Sequence, residues 1–422
     1  MKRVAIIYPW FAPLPPELHE GGSDYAHRLA LELASCGLAV DVIADSRTGP
    51  QSGDAACAAH GVSVHRVVRD WGWSAFLNGE WSKLRRMLSE LSPHAICVIY
   101  PPARLRARYV TPCFAKLLAP GGRVVTNVFS VIHPHALWRP DNWAATLALY
   151  QSSDRLLFMD GDTERLFGRV FPWLRPLTQF VPCGANFAPA KTYSREARDA
   201  ALRDLGLPAD DFYVAFFGYW YPSKHVEIAV RAVAELRRRG MRARLLFVGG
   251  FGRVPSPGAE VPKEILAYQG KVWREIEQLG LANSTVSSGH LSEAAALGQL
   301  LACDACVFPY GRIEGRSSLL IALRLGLPVV TWPQPRPKFL ADGRNVCMAG
   351  DRSALAMAAV LESLLRNPER AEALARGALA SSERLDWPVI KLRWYEALIG
   401  SPVPGSPAVS RSDVGCKGEA DA

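Results

Sequence analysis

Short, nearly uninterrupted apolar runs alternate along this chain with stretches of helical periodicity, and few folds accept that alternation. Residues 4–8 (VAIIY), 40–44 (VDVIA), 62–68, 95–100 (AICVIY), 123–128 and 155–160 (RLLFMD) read as strands. Runs as apolar as 95–100 suit parallel strands covered on both faces. A second series opens at 213 (YVAFFG) and continues at 245–248, 285–286, 305–309, 329–331 and 345–348. Between them, helices are expected from a Ser23 cap to a Gly37 stop, and over 81–91, 103–118 and 161–170. In the second series they are expected from Val226 onward and over 263–279, 292–302, 319–325, 353–366, 368–381 and 386–399. The Cys183-Gly184-Ala185-Asn186 segment, with Pro189 beyond it, suits a hinge between two α/β domains, 1–186 and 187–385. The last helix carries Trp387, Leu392, Trp394, Tyr395 and Leu398, an apolar load that has to dock. Residues 401–422, rich in Pro, Ser and Gly, are expected to be a disordered tail.

Composition narrows the function classes. The 422 residues exceed one ordinary core, and 49% hydrophobic with 21% charged residues describes a folded globular protein. No apolar run reaches the roughly 18 residues of a membrane span. The opening MKRVAIIYPWF is too short in its apolar part for a secretion signal and reads as a first strand. Nine cysteines without such a signal point to reduced thiols and a cytoplasmic protein. Cys303 and Cys306 form a CxxC without a second pair or a nearby histidine, which argues against zinc. A net charge of +9 fits nucleic acid, an anionic membrane face or a phosphorylated small molecule. The basic residues are scattered and no nucleic-acid motif accompanies them, so nucleic acid is excluded as a partner. The 81–91 helix sets Trp81, Leu84, Leu88 and Leu91 on one face, with Lys83, Arg85 and Arg86 off it. Such a helix more often packs on its parent sheet than lies on an anionic membrane, and Trp71, Trp73 and Phe76 nearby add slightly to the second reading.

Several loops sit where open parallel sheets take ligands, beyond the carboxyl ends of strands. In 310–331 (YGRIEGRSSLLIALRLGLPVVT) a polar loop runs into a helix start, whose free N–H groups and dipole favour an anion. Ser317 or Ser318 caps that helix or donates to the anion; an ordinary βαβ connection also explains the pattern. Gly21-Gly22 either lets a ligand approach the backbone or simply turns the chain. Lys224 stands near a helix start after a strand, where a lysine can pair with phosphate or stay free in solvent. His133 and His135 follow a strand, as catalytic or merely surface histidines. Gly249-Gly250 closes another strand ahead of Arg253.

Taken in order, HEGGSDYAHRLALELASCGLAVDVIA, FVPCGANFAP, FGYWYPSKHVEIAVRAV, LLFVGG, SSGHLSEAAALGQLLACDACVFPY, EGRSSLLIALRLGLPVV and WPVIKLRWYEAL resemble the motifs of the family 4 glycosyltransferases, over about residues 1–400. The resemblance implies the retaining GT-B fold: α/β, two Rossmann-like doubly wound parallel-sheet domains facing a central cleft. The helix at 386–400 would cross back to the N-terminal, acceptor-binding domain. It implies metal-independent transfer of a hexose-type sugar, with no cofactor, from a nucleotide-diphosphate sugar to a glycan, lipid-linked or small-molecule acceptor. The alternative is a non-catalytic relative that binds the nucleotide sugar; a two-lobed solute-binding protein shares the domain plan but would carry a signal peptide. Carried over by position, Lys224, Ser317 and Ser318 match the phosphate-contacting residues. Gly21 and Gly22 match the glycines near donor phosphate and acceptor, His133 the histidine on the transferred sugar, and Glu314 the first glutamate of an E-x7-E motif. The second glutamate's place falls at Ile321 or Ala322, and the spacing from Glu314 to Gly326 is one residue short. The arginine that usually accompanies the lysine is replaced around Tyr219-Trp220, leaving Arg316 or Arg253, near Gly249, to supply its charge. A peripheral place at the inner membrane face goes with the basic 81–91 helix.

Overall fold

The computed structural model describes residues 1–11, 21–48, 52–100, 110–128, 140–186, 192–249, 261–289, 291–311, 317–334 and 339–405. The chain divides into two compact units, one running to Gly184 and resuming at Trp387, the other Ala185–Asp386.

The first unit is built on β1 (Arg3–Ile7), β2 (Ala39–Asp45), β3 (Val62–Val68), β4 (Ala95–Tyr100), β5 (Arg123–Val128), β6 (Arg155–Phe158) and β7 (Thr178–Phe180). They lie side by side in the order β3-β2-β1-β4-β5-β6-β7, every pair parallel. The second unit repeats the plan with β8 (Phe212–Phe217), β9 (Ala243–Val248), β10 (Thr285–Ser287), β11 (Ala305–Val307), β12 (Val329–Thr331) and β13 (Cys347–Met348), ordered β10-β9-β8-β11-β12-β13. Both sheets reverse direction of winding at their first strand, between β1 and β4 and between β8 and β11. Such a switch point leaves a crevice at the carboxyl ends of the strands. Burial explains the apolar sequences: every residue of β4 and of β8 is buried, as a sheet covered by helices on both faces requires.

The first helix, Gly21–Ser35, begins two residues before the expected cap. Ser23 therefore lies inside its first turn, fully buried, and its hydroxyl has no hydrogen-bond partner among the described residues. Asp160, read as the end of a strand, instead caps the Gly161–Val170 helix, accepting from the Asp162 and Thr163 backbone N–H groups. The last helix, Trp387–Ile399, docks in the first unit, with Trp387, Ile390, Trp394 and Leu398 each at most 1% exposed. Burying such side chains stabilises by about 1.5–3 kcal/mol each. Polar ties fix its register: Trp394 Nε1 donates to the Tyr25 hydroxyl at 3.0 Å, and Arg123 Nε to the Ala397 carbonyl at 2.7 Å. Gly184 passes so close that a Cβ there would stand 2.6 Å from the Trp387 indole, so no side chain fits.

Candidate active site

In the second unit the switch point gathers residues from three separate loops. β8 is followed directly by Gly218, whose backbone N–H bonds the Val248 carbonyl at 3.0 Å and whose φ is +127°. A Cβ on Gly218 would stand 2.8 Å from Lys224 Nζ, 3.5 Å from the Tyr310 hydroxyl and 4.0 Å from Ser318 Oγ. An ammonium and two hydroxyls thus converge on one point at the carboxyl ends of β8 and β11. Gly249, at the end of β9, closes the side of this cradle, its own Cβ position 3.5 Å from Gly218 backbone.

Lys224 is only 9% exposed. It ends a short 3-10 turn, Pro222–Lys224, two residues ahead of the Val226–Arg238 helix. Its ammonium lies 5.2 Å from the Tyr310 ring centroid and 5.9 Å from that of Tyr221, within cation–π range. Tyr310 is itself held on both sides. Its hydroxyl donates to the Phe217 carbonyl at 3.1 Å, and its carbonyl accepts from Trp332 Nε1 at 2.8 Å. The 3-10 turn is pinned to the same strand end by the Gly311 N–H, which donates to the Ser223 carbonyl at 3.1 Å.

His225, directly after the lysine, adopts a left-handed backbone, φ 48° and ψ 50°. A side chain in that region carries strain. Its ring packs edge-on to Trp332, centroids 5.5 Å apart, and its Nδ1 lies 3.6 Å from Glu227 Oε1. Glu227 accepts the Tyr268 hydroxyl at 2.5 Å, and that hydroxyl accepts the Val226 N–H at 2.8 Å. Burial, reinforced by the carboxylate, pushes the Tyr268 phenol up, so it stays a neutral donor.

The Ser317–Leu325 helix points its N-terminus at the cradle, and its two leading serines do different things. Ser318 Oγ faces Gly218, whereas Ser317 Oγ accepts the Asn186 backbone N–H at 2.8 Å. Ile321 and Ala322, the positions where the resemblance places a second glutamate, are buried on the apolar side of this helix.

Of the residues singled out from sequence, the structure brings Lys224, Ser318 and Gly249 together. His133, His135, Arg253, Glu314 and Arg316 lie outside the described residues. Gly21 and Gly22 open the first helix of the other unit. Sequence reasoning missed Gly218, the Tyr310 hydroxyl beside it, His225 and Trp332. It also missed Asn127 on β5, fully buried with neither amide atom partnered among the described residues. An asparagine at the end of the apolar run RVVTNV was the available signal. Cys303 and Cys306 are buried and burial pushes both thiols up, which leaves them inert. Among the described residues no cluster of His, Cys, Asp or Glu could hold a metal ion.

Residues 20–184 match the model of the glycosyl transferase 4-like domain, and residues 211–367 that of glycosyl transferases group 1. The chain is similar to the D-inositol 3-phosphate glycosyltransferase of Stackebrandtia nassauensis, 32% identical over 199 residues, 44% of this chain and 41% of that protein. It is also similar to that of Xylanimonas cellulosilytica, 29% identical over 212 residues, 49% of this chain and 47% of that protein. The chain therefore spans less than half the length of these curated relatives. In structure it is similar to Anabaena HepE in complex with UDP and glucose, with a TM-score of 0.72 at 16% identity, covering 95% of this chain and 100% of that one. Sucrose-phosphate synthase from Thermosynechococcus elongatus follows at 0.71 and 16% identity, covering 94% and 98%. At these identities the likeness is one of fold. Two family models matched in order, on two Rossmann-like units of the GT-B fold, place the chain in the family 4-like glycosyltransferases.

Proposed function

We propose that this protein is a retaining, metal-independent glycosyltransferase that moves a hexose-type sugar from a nucleotide-diphosphate sugar to a glycan, lipid-linked or small-molecule acceptor. The observation that carries the reading is the convergence of Lys224, Tyr310 and Ser318 on Gly218 at a switch point. As the glycosidic bond of the donor breaks, negative charge grows on the leaving diphosphate. Cations and N–H groups already fixed where that charge appears lower the barrier without reorganising. Lys224 supplies the charge, Ser318 a hydroxyl, and the start of the Ser317–Leu325 helix the N–H groups and the positive end of its dipole. Gly249 leaves room for the phosphates. Arg253 and Arg316 are the candidates for a second cation, and Gly21 and Gly22 leave room near phosphate and acceptor. His133 and Glu314 are assigned to the transferred sugar. UDP sugars are the first donors to try, since HepE was solved with UDP and with UDP-glucose.

Calorimetry across UDP, GDP and ADP sugars tests this directly, with Lys224→Ala as the control. Losing the charge partner of a phosphate costs about 1.5–3 kcal/mol, so the variant binds donor about ten- to a hundredfold more weakly. No binding across the panel, or an unchanged constant for the variant, ends the assignment. The apolar Ile321 and Ala322 positions favour one second reading, a relative that binds the nucleotide sugar without turning it over. Donor binding with neither transfer nor donor hydrolysis would select it.

A cytoplasmic enzyme working at the inner membrane face fits one surface of the first unit. Trp73 and Phe76 are 38% and 37% exposed and Leu77 92%, and Phe76 stacks on Trp81 with centroids 4.6 Å apart. Arg85 and Arg86, exposed on the Glu80–Leu91 helix, have no ion pair among the described residues. Among the described residues no helix is long and apolar enough to cross a membrane. Pelleting with anionic vesicles, lost at high salt, supports the contact; no pelleting at low salt removes it.

A further inference from the structure

The Ser317–Leu325 helix is tied at both ends to segments that the donor site does not use. The chain passes between its units twice, at Gly184–Ala185 and at Asp386–Trp387. At the helix's N-terminal end, Ser317 Oγ holds the backbone N–H of Asn186, the second residue past the first passage. At its C-terminal end, Arg324 pairs with Asp386 at 3.0 Å, the last residue before the second passage. The same end is held again where the Tyr193 N–H donates to the Leu325 carbonyl. The Arg324 and Asp386 side chains are mostly covered, 24% and 19% exposed, so solvent screens their pairing less than it would on an open surface.

The helix itself is nine residues long, about 13 Å at 1.5 Å per residue. Its leucine-rich face, with Leu319, Leu320, Leu323 and Leu325 buried, already fixes it in the core. The polar ties add to that burial by fixing the two ends of the helix. They link the two passages to the one element whose leading turn presents Ser318 to the cradle.

We propose that this helix is a coupling rod, and that Arg324 and Asp386 are positioning residues for donor binding although neither touches the donor. The inference rests on the donor-site reading above. A diphosphate in the cradle draws on Ser318 and the free N–H groups at one end of the rod. A short, hydrogen-bonded helix moves as a unit, so the pull reaches Arg324 at the other end. Coupling between two sites is reciprocal: whatever donor occupancy does to the Arg324–Asp386 pair, the pair does to donor affinity. A purely structural ion pair would lower the melting temperature and leave the affinity of the folded protein unchanged.

The experiment is a double-mutant cycle in the full chain, read by calorimetric titration of UDP. Arg324→Ala and Asp386→Ala are each expected to weaken UDP binding about three- to tenfold, and the double variant no more than the weaker single. The charge-exchanged chain, Arg324→Asp with Asp386→Arg, is expected to recover affinity to within about twofold. Singles that bind as wild type does, or losses that multiply in the double variant, overturn the proposal. Hydrogen exchange of the unsubstituted chain reads the same coupling without any substitution. UDP is expected to change the protection of the Asn186 and Trp387 amides, and no change overturns the proposal. Wild type that binds none of UDP, GDP and ADP removes the donor-site reading and this inference together. Wild type that binds while both singles stay unchanged removes this inference alone.

Discussion

Replacing Gly218 by alanine separates the backbone role of that position from its role in the site. The φ of +127° lies where a side chain is strained, which costs about 1–3 kcal/mol. For a unit of this size a loss of about 2 kcal/mol lowers the melting temperature by roughly 4–8 °C. The added Cβ would also stand 2.8 Å from Lys224 Nζ, closer than carbon and nitrogen tolerate. A lysine tip swings away cheaply, so the clash adds little to the stability loss, but it moves the ammonium out of the cradle. A charged hydrogen bond is worth about 1.5–3 kcal/mol, and donor affinity should fall at least about tenfold. Gly206→Ala is the control. That glycine has φ +65° with nothing within 4 Å of its Cβ position, so the variant loses stability and keeps its affinity. Differential scanning fluorimetry and UDP calorimetry on both variants give the two readouts. Gly218→Ala binding UDP within about twofold of wild type would refute the cradle geometry as the basis of donor affinity.

Other substitutions probe how the site and its surroundings are held. His225→Val should lose about 1–2 kcal/mol of stability and His225→Asn clearly less, because asparagine tolerates the left-handed backbone; equal losses in urea unfolding would contradict the strain. Asp160→Ala removes the cap of the Gly161–Val170 helix and should cost about 1–2 kcal/mol by the same measurement. Asp211 is partly desolvated, which raises its pKa, but Arg244 and Arg242 outweigh that and hold the carboxylate below its ordinary value. Its contribution is therefore present above that ordinary value and is lost as pH falls through the depressed one. Acid unfolding of Asp211→Asn should accordingly show a shallower loss of stability in that window than wild type.

What the sequence revealed follows from where the chemistry lies along the chain. The apolar runs gave nearly every strand, because a parallel sheet covered on both faces leaves few polar positions to blur the pattern. Among the described residues three helices escaped the periodicity: Ser52–Ala59, Pro140–Ser152 and Arg195–Asp204. The first is short and built of small residues. The second buries Thr146 beside Leu149 and Tyr150, so part of its inner face looks polar. The third buries Arg198, which pairs with Asp304 and donates to the Asp211 carbonyl at 2.8 Å. A charge in the core hides a stripe that only the paired structure explains. The site shows the same limit. Lys224 and Ser318 were legible through motif order, but Gly218 and Tyr310 lie just beyond the carboxyl ends of β8 and β11, which are neighbours in the sheet and far apart in the chain. No local pattern announces that adjacency. Nor did the sequence separate the two serines, since one faces the cradle and the other the Asn186 N–H.

A crystal structure of the protein soaked with UDP tests the central claim most directly. Diphosphate oxygens are expected about 2.7–3.2 Å from Lys224 Nζ and Ser318 Oγ, above Gly218. A diphosphate bound elsewhere, out of reach of that lysine and serine, would contradict it.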